Sequence, residues 1–174
     1  MKKSLITASV LSIFALLCAL LLSLVNFWTN PIIKAKEEEK IKESIKYVCP
    51  LYDSSTMELV EVSGDAKTTY LVKENDVAIF AIYIIDATGF ASTIEMMISV
   101  DKTLTITGYT VLSSAETKGD IKSHDFKMTG SSSLDTFDAL SGSTVSSKAV
   151  KKCFRLALEY ASKDLGGAQW KITS

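Results

Sequence analysis

The sequence predicts an α+β domain held behind a membrane helix, and three observations predict it. The stretch from Leu5 to Trp28 carries no charged side chain. Between Glu58 and Leu112, five short segments rich in β-branched and aromatic residues are separated by turn-forming pairs. From Ser146 to Leu165, the residues Val150, Phe154, Ala157, Leu158, Ala161 and Leu165 recur at helical spacing. The expected architecture is an N-terminal transmembrane helix and stalk, followed by an antiparallel sheet with a packed C-terminal helix.

The apolar segment comes first. A helix over Leu5–Trp28 would be about 36 Å long at about 1.5 Å per residue, enough to cross a hydrocarbon core of about 30 Å with some tilt. Lys2 and Lys3 precede it as in a signal peptide, but the run is long for a signal core and Val25-Asn-Phe-Trp28 offers no small-x-small cleavage site. Retention as an anchor is therefore expected. Cys18 follows Leu17 rather than a small residue, which disfavours lipoprotein processing and leaves Cys18 as an apolar residue of the run. Lys2 and Lys3 favour a cytoplasmic N-terminus, whereas Lys34, Lys36, Lys40 and Lys42 on the other side dilute that bias, so charge alone leaves the orientation open.

Beyond Asn30-Pro31, Ile41, Ile45 and Val48 lie at helical spacing among Glu and Lys residues, with Glu38 four positions before Lys42. This segment, Lys34 to Val48, reads as a stalk helix ended by Cys49-Pro50. The strands are expected at Glu58–Ser63, Thr68–Lys73, Val77–Ile85, Ser92–Val100 and Thr103–Leu112. Alternation is clearest at Ile94, Met96, Ile98 and Val100, the pattern of a half-buried antiparallel strand. From Ser113 to Ser143 the chain is rich in Ser, Gly, Thr and Asp and reads as long loops with at most one short helix, and ordered loops of this length usually carry function. The Ser146–Leu165 helix stops at Gly166-Gly167.

Composition narrows the function. A formal net charge of −1 gives no electrostatic reason to bind nucleic acid. The lone His124 and the absence of Cys-x-x-Cys argue against a structural zinc site and a thioredoxin-like centre, so no metal is expected. Cys49 and Cys153 could form one bridge, but nothing in the pattern requires it. No Walker motif and no dinucleotide glycine fingerprint occurs.

The most informative stretch is Asp138-Ala-Leu-Ser-Gly-Ser-Thr144, immediately before the periodic helix. Gly142 permits a tight turn, Ser141 and Ser143 leave space beside it, and Thr144 places a hydroxyl at a helix start whose free N–H groups attract phosphate. The same residues would also serve as a plain helix cap, since Ser, Thr and Gly are what helix starts prefer. Asp138 could bond the backbone N–H groups of the turn as an Asx-type device.

The pattern Asp-x-x-Ser-Gly-(Ala/Ser)-Thr resembles the site at which a flavin transferase moves FMN from FAD onto threonine in the G subunit of Rnf electron-transport complexes and in the C subunit of the sodium-translocating NADH:quinone reductase. The resemblance covers nearly the whole chain, and Gly89-Phe-Ala-Ser92 occupies the place of a family Gly-Tyr-Gly-Gly turn. Val111–Gly119 resembles a segment carrying His-x-Glu-Thr-Pro-Gly-Leu-Gly, of which Glu116, Thr117 and Gly119 match. Ser114 stands for the histidine, Lys118 for the proline, Asp120-Ile121 for the final Leu-Gly, and Ser143 for the usual alanine of the flavin motif.

The resemblance implies covalent FMN, linked through its phosphate to Thr144, with Ser141, Gly142, Ser143, Asp138, Glu116 and Thr117 around it, Asp138 serving either the turn or recognition by the transferase, and no catalytic residue of the protein's own. It also implies residues 1–30 as anchor, 31–50 as stalk and 51–174 as FMN-binding domain, with the N-terminus cytoplasmic and the main domain outside. The chain would be an electron carrier in an ion-translocating ferredoxin:NAD oxidoreductase complex, with the other membrane subunits and the flavin transferase as partners. A membrane-tethered interaction module without cofactor, and a flavinylated carrier for another extracellular electron-transfer system, are the alternative readings of the same residues.

Overall fold

The computed structural model describes residues 2–116 and 120–166, with the side chains of residues 2–10, 28, 30–35, 37 and 38 outside the description. Two compact units divide the chain, Met1–Lys42 and Glu43–Ser174.

Helix α1 runs Lys2–Val48 without interruption. The segments expected as anchor and stalk thus lie in one continuous helix, although Pro31 cannot donate the i→i−4 hydrogen bond that another residue would make. From residue 11 to 27 the apolar side chains are exposed around the whole circumference, Leu11, Phe14, Leu22 and Phe27 among them, and Cys18 is exposed with them. Among the described residues no helix is long and apolar enough to cross a membrane. α1 ends just before Cys49-Pro50, and Ile45, Val48 and Cys49 are buried in the second unit.

The second unit is an antiparallel meander of β1 (Glu58–Val62), β2 (Thr68–Glu74), β3 (Val77–Thr88), β4 (Thr93–Asp101) and β5 (Ile106–Ser113), hydrogen-bonded in that order, with α2 (Thr144–Asp164) after it. Each turn has a local cause. Glu74 pairs with Val77 across Asn75 and Asp76, both at positive φ, as a two-residue hairpin requires. Between β4 and β5, the Asp101 carboxylate accepts the N–H groups of Thr103 and Thr105 and the Thr103 hydroxyl, which consumes the residues expected at the start of the fifth strand.

One face of the sheet presents Ala81, Tyr83, Ile85 and Ala87 from β3 and Ile94, Met96, Ile98 and Val100 from β4, in one core with Val150, Phe154, Leu158 and Ala161 of α2. Tyr83 donates its hydroxyl to Asp164 at 2.9 Å, tying β3 to the far end of the helix. The expectation of half-buried strands fails for β3 and β4, because Phe80, Ile82, Ile84 and Met97 of the opposite parity are buried as well. These are central strands, and their near-continuous apolar runs reflect burial on both faces. In β5, a Cβ at Gly108 would overlap the Val48 carbonyl, so only glycine admits this approach.

The described part of segment 114–143 holds turns and no helix. It is anchored by Ile121, Phe126 and Met128, buried in the main core, and by Phe137 stacked on Phe126 at 5.6 Å. Cys49 and Cys153 are buried free thiols. Burial, with the nearby Asp86 charge, pushes the Cys153 thiol up to about 12, so it stays protonated and inert at neutral pH.

Candidate functional site

The helix behind the Ser-Gly-Ser-Thr stretch begins two positions earlier than its periodicity indicates, so Thr144 is its first residue and is exposed. Gly142 adopts φ +76, and a Cβ there would meet nothing within 4 Å. The turn therefore needs glycine for its backbone conformation rather than for space. Ser143 stands at the N-cap with φ −126 and makes no side-chain capping bond, which departs from the plain-cap reading. The turn is closed instead from inside the helix. Ser143 N–H donates to the Leu140 carbonyl, and the Ser147 hydroxyl accepts the Leu140 N–H at 3.1 Å.

Ser146 reaches outward. Its hydroxyl donates to Glu116 Oε2 at 2.5 Å. The same carboxylate accepts three successive backbone N–H groups of the β3–β4 turn, Phe90 at 3.2 Å, Ala91 at 3.0 Å and Ser92 at 3.0 Å, with the Ser92 hydroxyl at 3.4 Å. Gly89 closes the turn by donating its N–H to the Ser92 carbonyl at 2.8 Å. A Cβ at Gly89 would overlap the Glu116 carboxylate, so glycine makes room for the acid. Ser146, followed by the N–H groups of Ser92, Ala91 and Phe90, holds the Glu116 carboxyl below the usual carboxylate range, against the opposing effect of desolvation.

An open cleft of about 220 Å³ lies between these parts, lined by Phe90, Glu116, Gly142, Ser143, Thr144, Val145 and Ser146. Four of the expected site residues, Glu116, Gly142, Ser143 and Thr144, line it. Ser141 is exposed one position before the cleft wall. Thr117 lies outside the described residues. Asp138 does not bond the turn: its carboxylate pairs with Lys127 at 3.1 Å, while its N–H donates to the Phe126 carbonyl and its own carbonyl faces His124 Nε2 at 3.1 Å. The Asx reading of Asp138 is thus replaced by an ion pair within the loop, because the turn's own N–H groups are taken by Leu140 and Ser147. A larger groove of about 420 Å³, bordered by Tyr47, Tyr109, Lys122, His124 and Asp125, contains none of the expected residues.

Phe90, Val145 and Ser146 were not expected as site residues. The place of Gly89-Phe-Ala-Ser92 in the family pattern is the signal that could have pointed to Phe90, whereas Val145 and Ser146 are two ordinary helix-start residues. Beyond Thr144 the solvent face of α2 carries Lys148, Lys151, Lys152 and Arg155, all exposed. The first N–H groups of a helix have no partner within it. The helix-start N–H groups at Thr144 suit a phosphate ester, and the apolar side chains of Phe90 and Val145, 70% and 49% exposed, suit a planar aromatic group. The residues present thus fit a flavin held at Thr144.

Residues 1–48 match the RnfG N-terminal region, and residues 89–159, from the Gly89 turn through most of α2, match the FMN-binding domain family. The chain is also similar to the G subunit of an ion-translocating oxidoreductase complex from Vibrio atlanticus (strain LGP32), 27% identical over 185 residues that cover 89% of this chain and 88% of that protein. A terminal region and a domain matched in the expected order, with a relative aligned along nearly its full length, bear out the resemblance to the RnfG family read from the sequence.

Proposed function

We propose that this protein is a membrane-anchored electron carrier with FMN bound covalently to Thr144, serving an ion-translocating oxidoreductase complex of the Rnf type. The observation that carries the reading is the placement of Thr144: an exposed hydroxyl on the first residue of α2, inside a cleft, within the region that matches the FMN-binding domain family. In maturation, the Thr144 hydroxyl attacks the FMN phosphorus of FAD on the flavin transferase. A phosphoester bond forms, the pyrophosphate bond breaks, AMP leaves and the hydroxyl proton is lost. The attached flavin supplies the redox chemistry. The chain's contribution is to tether it, with the α2 N–H groups and Lys148 favouring the remaining negative charge of the phosphodiester.

In this reading residues 1–30 anchor the protein, 31–50 form the stalk, and 51–174 bind FMN outside the cytoplasm with the N-terminus inside. The charge-free Leu5–Trp28 stretch and the exposure of the apolar side chains from residue 11 to 27 all round the helix support the anchor. Partners are the other membrane subunits and, during maturation, the transferase.

The test is intact mass followed by peptide mapping of the full chain co-expressed with a flavin transferase. One FMN on Thr144 is expected. An adduct on Ser141, Ser143, Ser146 or Ser147 would overturn the assignment, and an unmodified chain would favour an interaction module without cofactor.

A further inference from the structure

We infer that Phe90 and Val145 are the side chains that contact the isoalloxazine ring, and that Glu116 is a positioning residue that holds the Phe90 turn against the start of α2 rather than a flavin ligand. The inference rests on the attachment of FMN at Thr144.

The Glu116 carboxylate is already engaged. Three backbone N–H groups and the hydroxyls of Ser92 and Ser146 converge on its two oxygens, leaving little acceptor capacity for a ligand. What those bonds accomplish is mechanical. They join the turn after β3 to the helix start that carries Thr144, across separations of 24 to 30 residues. Gly89 is shaped to this arrangement, since any side chain there would displace the acid.

Phe90 is the consequence. Its backbone is fixed by Glu116, yet its ring is 70% exposed at the cleft. A large apolar side chain carried on a fixed backbone beside a cleft is the form of a pre-organised aromatic contact. Val145, directly after Thr144, exposes the second apolar side chain of the same cleft. A group esterified at Thr144 begins in the cleft that both line, and its ring system offers Phe90 a flat partner for offset stacking.

The experiment uses full-length flavinylated protein, with iodide as a collisional quencher of flavin fluorescence and fluorescence anisotropy as a measure of ring mobility. Phe90→Ala is expected to keep one FMN by mass while the iodide quenching constant rises about twofold or more and the anisotropy falls. Phe90→Tyr is expected to behave as wild type. Glu116→Ala should reproduce the Phe90→Ala signature with Phe90 intact, and Glu116→Gln, which keeps an oxygen for the turn's N–H groups, should restore most of the wild-type value. A flavinylated Phe90→Ala protein with unchanged quenching and anisotropy would overturn the inference while leaving the attachment standing. Wild-type protein without the mass of FMN would overturn both. If Glu116→Ala lacks a cooperative melt, Glu116→Gln and Ser146→Ala decide the positioning role, and wild-type ring mobility in both would sink it.

Discussion

Ser146 donates its hydroxyl to Glu116 Oε2 at 2.5 Å, joining residues 30 apart in sequence, the latter held also by the turn that follows β3. This bond makes the start of α2 and the Phe90 turn one object. It also gives the local stability an acid dependence. The Glu116 pKa is lowered from its ordinary 4.5, first by Ser146 and then by the turn's N–H groups. A carboxylate with a depressed folded-state pKa contributes stability that is present above its unfolded pKa and lost as pH falls through the folded value. The melting temperature of wild type should exceed that of Glu116→Gln at pH above about 4.5, and the gap should close on further acidification. A gap that persists unchanged in acid would show that the charge contributes nothing.

Phe154 is fully buried and meets Tyr109 edge-on at 4.9 Å, with Phe137 and Phe126 at its other sides. Truncation to Ala should cost about 3–5 kcal/mol and lower the melting temperature by roughly 10–20 °C. Thermal denaturation followed by circular dichroism is the measurement. An unchanged transition would place this face of α2 outside the core.

Gly108 and Gly130 separate two reasons for glycine. A Cβ at Gly108 meets the Val48 backbone, which cannot swing aside, so Gly108→Ala should destabilise by about 1–3 kcal/mol through steric displacement. Gly130 has open space but φ +79, so Gly130→Ala should cost about 1–2 kcal/mol through conformation alone. Chemical denaturation of both variants, together with Gly130→Asn, distinguishes the causes: Asn tolerates positive φ and should recover part of the loss at Gly130.

Thr144→Ala should abolish covalent flavin and leave the thermal transition of the domain intact, since the side chain is exposed. Thr144→Ser keeps the hydroxyl and removes only a methyl group. Ultraviolet fluorescence of a denaturing gel should therefore be lost in the first variant and, where the transferase accepts serine, retained in the second. Fluorescence retained in Thr144→Ala would move the attachment elsewhere.

Topology is tested by protease added to intact spheroplasts. Digestion of residues beyond Pro31 is expected, with the N-terminal helix left in the membrane. Full protection of the domain would reverse the orientation.

Strand periodicity, turn pairs such as Glu74-Asn75, the apolar face of α2 and the Ser-Gly-Ser-Thr stretch are all written in residues near one another, and local backbone preference together with the two side-chain periods makes them legible. The α+β class and the antiparallel sheet were therefore readable from the sequence by itself. So was the charge-free stretch, because length and apolarity are additive along the chain. Where contacts join distant residues, only the tertiary structure decided. Burial of β3 and β4 on both faces depends on what packs behind the sheet, and periodicity cannot distinguish a central strand from a buried helix segment. Asp138 is close to the turn in sequence, but Lys127 competes for its carboxylate and wins. Glu116 and Ser146 are ordinary residues when taken alone. Their joint role arises because folding carries a loop carboxylate into a concave row of N–H groups and sets a helix start beside it, and a hydrogen bond's partner is chosen by distance in space rather than in sequence.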